Sequence, residues 1–254
     1  MKTFTLSCIL IIFSVVHLFA QRTIDASDII RQINEGKPVT FQDATITGIL
    51  DFTALDNREL VKENGGWFGG GNDQYESKVE VKIEFIDCMF KDDVLAYYND
   101  DDATYIAHFE EPVKFEKCVF EEQSEFKYSE FARSSSFRES IFEEEANFKY
   151  AEFENDTDFS NCKFDGDANF KYAEYDNLPN YAGAVFDKEA NFKYVEFDEG
   201  VNFEQAVFND MANFKYCEFS DPLNIKSVTF NGEEDFKYTR INGQDFTSYL
   251  LNNQ

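Results

Sequence analysis

The tripeptide Phe-Lys-Tyr occurs six times, starting at Phe126, Phe148, Phe170, Phe192, Phe214 and Phe236, always 22 residues apart. A fixed period of this length is the signature of a solenoid. Each repeat is then one turn of a stack, unable to bury its apolar face alone and stable only against its neighbours.

The period has an internal structure. Aromatic residues fall at positions 115, 120, 126, 131, 137, 142, 148, 153, 159, 164, 170 and 175, in alternating steps of five and six, and a small residue such as Ser124, Ala146, Thr157 or Cys162 lies two places before each. Small-x-aromatic is a strand triplet whose first and third side chains share a face, and both are predicted to point inward. Four such triplets joined by corners of two, three, two and three residues make 22, so the expected cross-section is four-sided. The longer corners, for example Asp165-Gly166-Asp167 and Ser220-Asp221-Pro222, carry residues suited to turns. Stacked phenyl rings, Phe126 to Phe236 on one side and Phe120 to Phe230 on another, are the expected core.

The unit Ala146-Asn147-Phe148-Lys149-Tyr150, repeated from Ala168, Ala190 and Ala212, resembles the pentapeptide-repeat family, whose unit is a small residue, Asn or Asp, a central Leu or Phe, and two variable residues. The resemblance runs over about residues 107–246, with irregular units around Ile83 to Phe90. It implies an all-β fold, a right-handed quadrilateral parallel β-helix with 22-residue coils. The extra residue at alternate corners departs from the family's uninterrupted fives.

Around this rod the chain divides into residues 1–20, a signal peptide; 21–106, a capping helix, first strands and irregular loops; 107–246, the regular β-helix; and 247–254, a C-terminal tail or cap. Lys2 followed by the apolar run Cys8–Phe19 and then Ala20 has the layout of a secretory leader, too short to span a bilayer. The protein is therefore expected outside the cytoplasm, periplasmic or extracellular, with no integral membrane segment after the leader is removed. Asp25 or Ser27 can cap a helix with the apolar stripe Ile29, Ile30 and Ile33, ended by Gly36 and Pro38, and this helix is the expected lid for the first coil. At the far end Phe246, Tyr249, Leu250 and Leu251 are read as a cap or a homodimer contact through the end of the β-helix. The glycine-rich loop around Trp67 and Phe68 lacks the Gly-Lys-Ser/Thr of a phosphate-binding loop and is a candidate contact segment.

Without the leader the chain has 22 basic against 50 acidic residues, a net charge of −28. Such a surface repels nucleic acid and anionic lipid. Cys118 and Cys162 share a repeat position but stand two turns, about 10 Å, apart, beyond bridging distance. Cys217 falls at a different repeat position and Cys88 outside the register, so all four cysteines of the mature chain read as small buried residues. His108, the only histidine after the leader, has no recognisable nucleophile or zinc partner, and Phe170 occupies the glycine place of a calcium loop beginning at Asp165. No catalytic residue, metal ligand or cofactor site is assigned, and the chain is not read as an enzyme.

Outward residues must form columns. Lys127, Lys149, Lys171, Lys193, Lys215 and Lys237 run beside Tyr128, Tyr150, Tyr172, Tyr194, Tyr216 and Tyr238, with Glu130, Glu152, Glu174, Glu196 and Glu218 nearby. Two lysines about 4.8 Å apart repel by roughly 0.9 kcal/mol in water, and the flanking carboxylates are expected to offset this. The functional alternative is an aromatic and basic platform for a glycan or an acidic partner. A second column, Val119, Ile141, Val185 and Val207 with Lys163 and Thr229, is an apolar stripe suited to a protein contact.

The expected function is a noncatalytic exported structural or protein-interaction module, its protein or glycan partner unknown. The alternative, implied by the resemblance, is an acidic DNA mimic, since some family members resemble DNA in shape and charge and bind type II topoisomerases; the leader removes this chain from that target. A carbohydrate-binding or carbohydrate-active β-helix is the third reading, against which the outward side chains repeat monotonously and the arginines do not cluster.

Overall fold

A computed structural model describes residues 22–63 and 72–252. The expected leader and the candidate contact segment with Trp67 and Phe68 lie outside the described residues. The chain is a right-handed, four-faced parallel β-helix. Each regular turn visits the faces in order, as with Val113–Glu116, Val119–Phe120, Ser124–Glu125 and Glu130–Phe131. These are called here the first to fourth faces.

The inward positions are filled as the triplets require. Ala146, Phe148, Ala151 and Phe159 are completely buried, and their equivalents recur coil by coil. The rings form four continuous stacks rather than the two named from the sequence. Phe126, Phe148, Phe170, Phe192 and Phe214 are 5.0–5.1 Å apart in one of them. Rings in adjacent stacks meet edge to face, as Phe148 does with Phe159 at 5.2 Å and 79°. Both arrangements suit the ring quadrupole, and each pair adds roughly 0.5–1.5 kcal/mol beyond burial.

At four of the places where the small inward residue after a two-residue corner carries a thiol or hydroxyl, it has a second task. Cys162 Sγ donates to the Phe137 carbonyl at 2.9 Å, Cys217 Sγ to Phe192 at 2.8 Å, and Ser140 and Thr239 do the same with hydroxyls at 2.7 and 2.6 Å. The cysteines are therefore interchangeable with Ser or Thr at this place, and all four described cysteines are free and buried. Cys88 is in register after all: Met89 pairs with Val119, which sets Cys88 directly beneath Cys118. Its place was hidden because 30 residues, not 22, separate the paired Ile83 and Val113.

The coils reach well upstream of the regular repeat. Val39 pairs with Ile83 across 44 residues, and Ile83 with Val113. The excess is spent on two hairpins, Glu59–Lys62 against Asp73–Val79 and Tyr97–Asn99 against Ala103–Phe109, both widening the fourth face. On the first face, strand pairing is broken around Asn180, which makes only single bridges to Asp158 and Asn202. Pro179 precedes it and has no N–H to give, though its carbonyl still accepts from Asn202.

Both ends are partly covered. Helix α1 (Ala26–Asn34) is capped by Asp25, whose Oδ1 accepts from the Ser27 N–H at 2.9 Å, and it lays Ile29 and Ile33 on the first coil with Ile30 half-buried. Arg22–Asp25, just before it, adds an unforeseen strand parallel to Ala44–Thr47. Helix α2 (Phe246–Asn252) seats Phe246 on Phe219 and Phe236 at 5.2 and 5.0 Å. It leaves Phe230 38% exposed beside a cavity of about 160 Å3 bordered by Ile225 and Val228.

Candidate functional site

The corner between the third and fourth faces carries Lys-Tyr in six consecutive coils. After Phe148, Lys149 and Tyr150 form a tight turn closed by the Ala151 N–H on the Phe148 carbonyl at 3.0 Å. The second turn residue needs a positive φ, and Tyr128, Tyr150, Tyr172, Tyr194, Tyr216 and Tyr238 all have φ between 59° and 65°. A non-glycine residue held there costs of order 1–3 kcal/mol.

The diagonally opposite corner shows what that turn alone demands. Its positive-φ place is filled in successive coils by Asp43, Asp87, Lys117, Glu139, Asn161, Gly183, Gln205 and Ser227. Backbone geometry is shared and side-chain identity is not. Tyrosine at the first corner therefore answers to something outside the turn.

What it forms is a column of parallel rings. Tyr150 and Tyr172 stack at 4.7 Å with 4° between planes, and every other neighbouring pair from Tyr128 to Tyr238 lies at 4.7 or 4.8 Å. Tyr97, on the second hairpin, starts the column 5.9 Å below Tyr128 and escaped the sequence reading because it lies outside the period. Lys127 Nζ sits 4.4 Å from the Tyr97 ring centroid and 3.1 Å from its hydroxyl. Stacking of this order offsets part of the backbone cost. It also uses up the ring faces, so that edges and hydroxyls, rather than flat platforms, meet the solvent.

The lysines lie on the third-face side of the rings, each Nζ 4.9–5.4 Å from the centroid of its own tyrosine. Among the described residues no carboxylate lies within 4.0 Å of any of the six. No direct ion pair with a neighbouring glutamate supplies the expected offset among the described residues, although the Lys127 charge is felt by Glu125 on the third face. Burial and the adjacent Lys127 and Lys171 push Lys149 below the usual lysine range. Asn147, Asn169, Asn191 and Asn213 accept the N–H of the lysine two places on, which explains the Asn of the repeat unit as a turn-holding residue.

On the fourth-face side, Glu130, Glu152, Glu174, Glu196 and Glu218 are in register. Burial, then Glu174, Glu154 and Asp176, raise Glu152 above the ordinary glutamate range. This column is bounded. Below Glu130 come His108 and Lys78, and above Glu218 comes Arg240. His108 Nδ1 accepts the Glu130 N–H at 3.2 Å, and burial lowers the affinity of His108 for a proton.

The apolar stripe is also brought together: Val119, Ile141, Val185 and Val207 are half-buried on the second face, with Met89 beneath. Lys163 interrupts it, paired with Asp165 at 2.5 Å and Asp187 at 3.3 Å.

A family model of pentapeptide repeats in nine copies matches residues 107–152, 148–196 and 176–217. No curated protein and no solved structure matches the chain. The repeat unit, its periodic inward and outward positions and the four-faced coil agree with that match, and residues 107–217 are built of pentapeptide repeats.

Proposed function

We propose that this chain is an exported, noncatalytic structural or protein-interaction module whose contact surface is the Lys-Tyr corner. The observation that carries the reading is the contrast between two corners of one backbone geometry, one with varied residues and one with tyrosine six times. Periodic ammonium and hydroxyl groups beside a separate carboxylate column favour a polar, charge-patterned partner surface. Glycan recognition by ring stacking fits less well, since each ring face is covered by the next. The DNA-mimic reading fits less well too, since the lysine column crosses the negative surface.

The test is cell fractionation followed by photo-cross-linking from a probe at Lys171. Recovery of a defined partner outside the cytoplasm, lost when Tyr150, Tyr172 and Tyr194 are changed to Ser, is expected. Cytoplasmic retention with inhibition of type II topoisomerase supercoiling would replace the reading with the DNA mimic. A second reading, an end-to-end homodimer, is favoured by the half-covered C-terminal coil with its exposed Phe230.

A further inference from the structure

The lysine and glutamate columns share one spacing, run side by side, and over the central coils are each without an ion-pair partner within 4.0 Å among the described residues. A partner that satisfies both must present the same two columns at the same rise. The molecule that does so without adjustment is a second copy of this chain. We propose that two copies associate side by side through the Lys-Tyr corner, the lysine column of each facing the glutamate column of the other. The inference rests on the reading of that corner as the contact surface.

Symmetry decides the orientation. A two-fold axis parallel to the rod exchanges left and right across the tyrosine column while keeping each coil level with its counterpart. Lys149 of one copy then faces Glu152 of the other, and Lys171 and Lys193 face Glu174 and Glu196. An axis perpendicular to the rod would set lysine against lysine. The pair is therefore parallel, with the tyrosine edges meeting between the two lines of ion pairs. The fourth-face carboxylates Glu152, Glu174 and Glu196 are exposed, and Tyr216 and Tyr128 are 39% and 40% exposed, so the strip is open to contact. The net charge of −27 opposes association at long range. At physiological ionic strength the screening length of about 8 Å weakens that repulsion far more than contacts between adjacent groups.

The experiment is a charge exchange read by analytical ultracentrifugation in about 0.15 M salt, where the Debye length is about 8 Å. One variant carries Lys149→Glu, Lys171→Glu and Lys193→Glu; the other carries Glu152→Lys, Glu174→Lys and Glu196→Lys. The unaltered chain is expected to dimerise, each variant alone to weaken at least about tenfold, and the two variants mixed to form a heterodimer. Carbodiimide cross-linking of a mixed 14N/15N sample is expected to give hybrid peptides joining Lys149 to Glu152 and Lys171 to Glu174. A monomeric parent, a mixture of folded variants that stays monomeric, or hybrid peptides that join distant coils overturns the proposal. If a triple variant loses its β-sheet circular dichroism, the single changes Lys171→Glu and Glu174→Lys provide the same exchange. A parent that stays monomeric yet captures another protein through this corner overturns the dimer and leaves the interaction reading standing.

Discussion

The hydroxyls of Tyr175 and Tyr181 meet at 2.6 Å inside a core that is otherwise phenyl. The equivalent places in the coils on either side are Phe153 and Phe159 below and Phe197 and Phe203 above, so the scaffold accepts a phenyl pair at this level. Changing one tyrosine to Phe strands the other hydroxyl. Tyr181 is fully buried and Tyr175 is 5% exposed. Tyr175→Phe, which orphans the deeper hydroxyl, is expected to cost about 2–3 kcal/mol, and Tyr181→Phe about 1–2 kcal/mol, the range for a buried polar group left unpaired. The double change removes both polar groups together and is expected to lie within about 1 kcal/mol of the parent. The coupling energy is then about 4 kcal/mol, within a range of about 2–6 kcal/mol, and favours the matched pairs. Urea unfolding followed by circular dichroism measures the three variants, with equal m-values as the check on comparability. Hydrogen exchange at the Tyr181 N–H, which donates to Asn202, reports the same difference locally. A double variant as unstable as the sum of the singles would refute the reasoning and show that the cost lies in lost ring packing.

Glu125 offers a pH test: burial, then Glu145, raise its pKa to about 7 against an ordinary 4.5. The folded state thus holds this proton more tightly than the unfolded chain, so its contribution favours folding at low pH and is lost as pH rises from about 4.5 to about 7. Glu125→Gln is expected to gain of order 1–3 kcal/mol at pH 8 and little at pH 5, as read by unfolding midpoints at the two values. At the turn, Tyr172→Val keeps the positive φ but adds a β-branched side chain, and should cost more than Tyr172→Asn by about 1–2 kcal/mol in thermal unfolding. Cys162→Ser retains a donor for the Phe137 carbonyl, whereas Cys162→Ala loses it and should be less stable than the Ser variant by about 1 kcal/mol. A Cβ added at Gly166 would stand 2.3 Å from the Glu144 carbonyl carbon, so Gly166→Ala should lower the unfolding midpoint by the equivalent of about 1–3 kcal/mol.

The regular coils were legible because one physical demand, a small and an aromatic residue facing inward on every side, recurs at a constant interval. Where the interval changes, the demand is still met but the count is lost. Ile83, Phe85 and Phe90 are as buried as Phe115 and Phe120, yet the hairpins between them left these coils legible only as irregular units around Ile83 to Phe90. The same interruption concealed Tyr97, the stacking of Cys88 under Cys118, and Lys78 and His108 beneath the glutamates. Columns of outward residues could be listed from the repeat, but their mutual separation could not, since it depends on the positive φ that stands each tyrosine between lysine and glutamate. Arg22–Asp25 was missed for a different reason: a four-residue strand stabilised by one parallel neighbour carries no alternation of its own.

The basic residues at both limits of the glutamate column make the rod a molecule of counted length. A solenoid can gain or lose a 22-residue coil in its middle at little cost to the neighbours, and every column on the surface would change by one member at the same time. Lys78, His108 and Arg240 would stay with the ends, so the carboxylate run would lengthen or shorten between fixed stops. Any partner that reads this surface would therefore sense coil number directly, and duplication or loss of one repeat would retune its fit without a single change to the residues in contact.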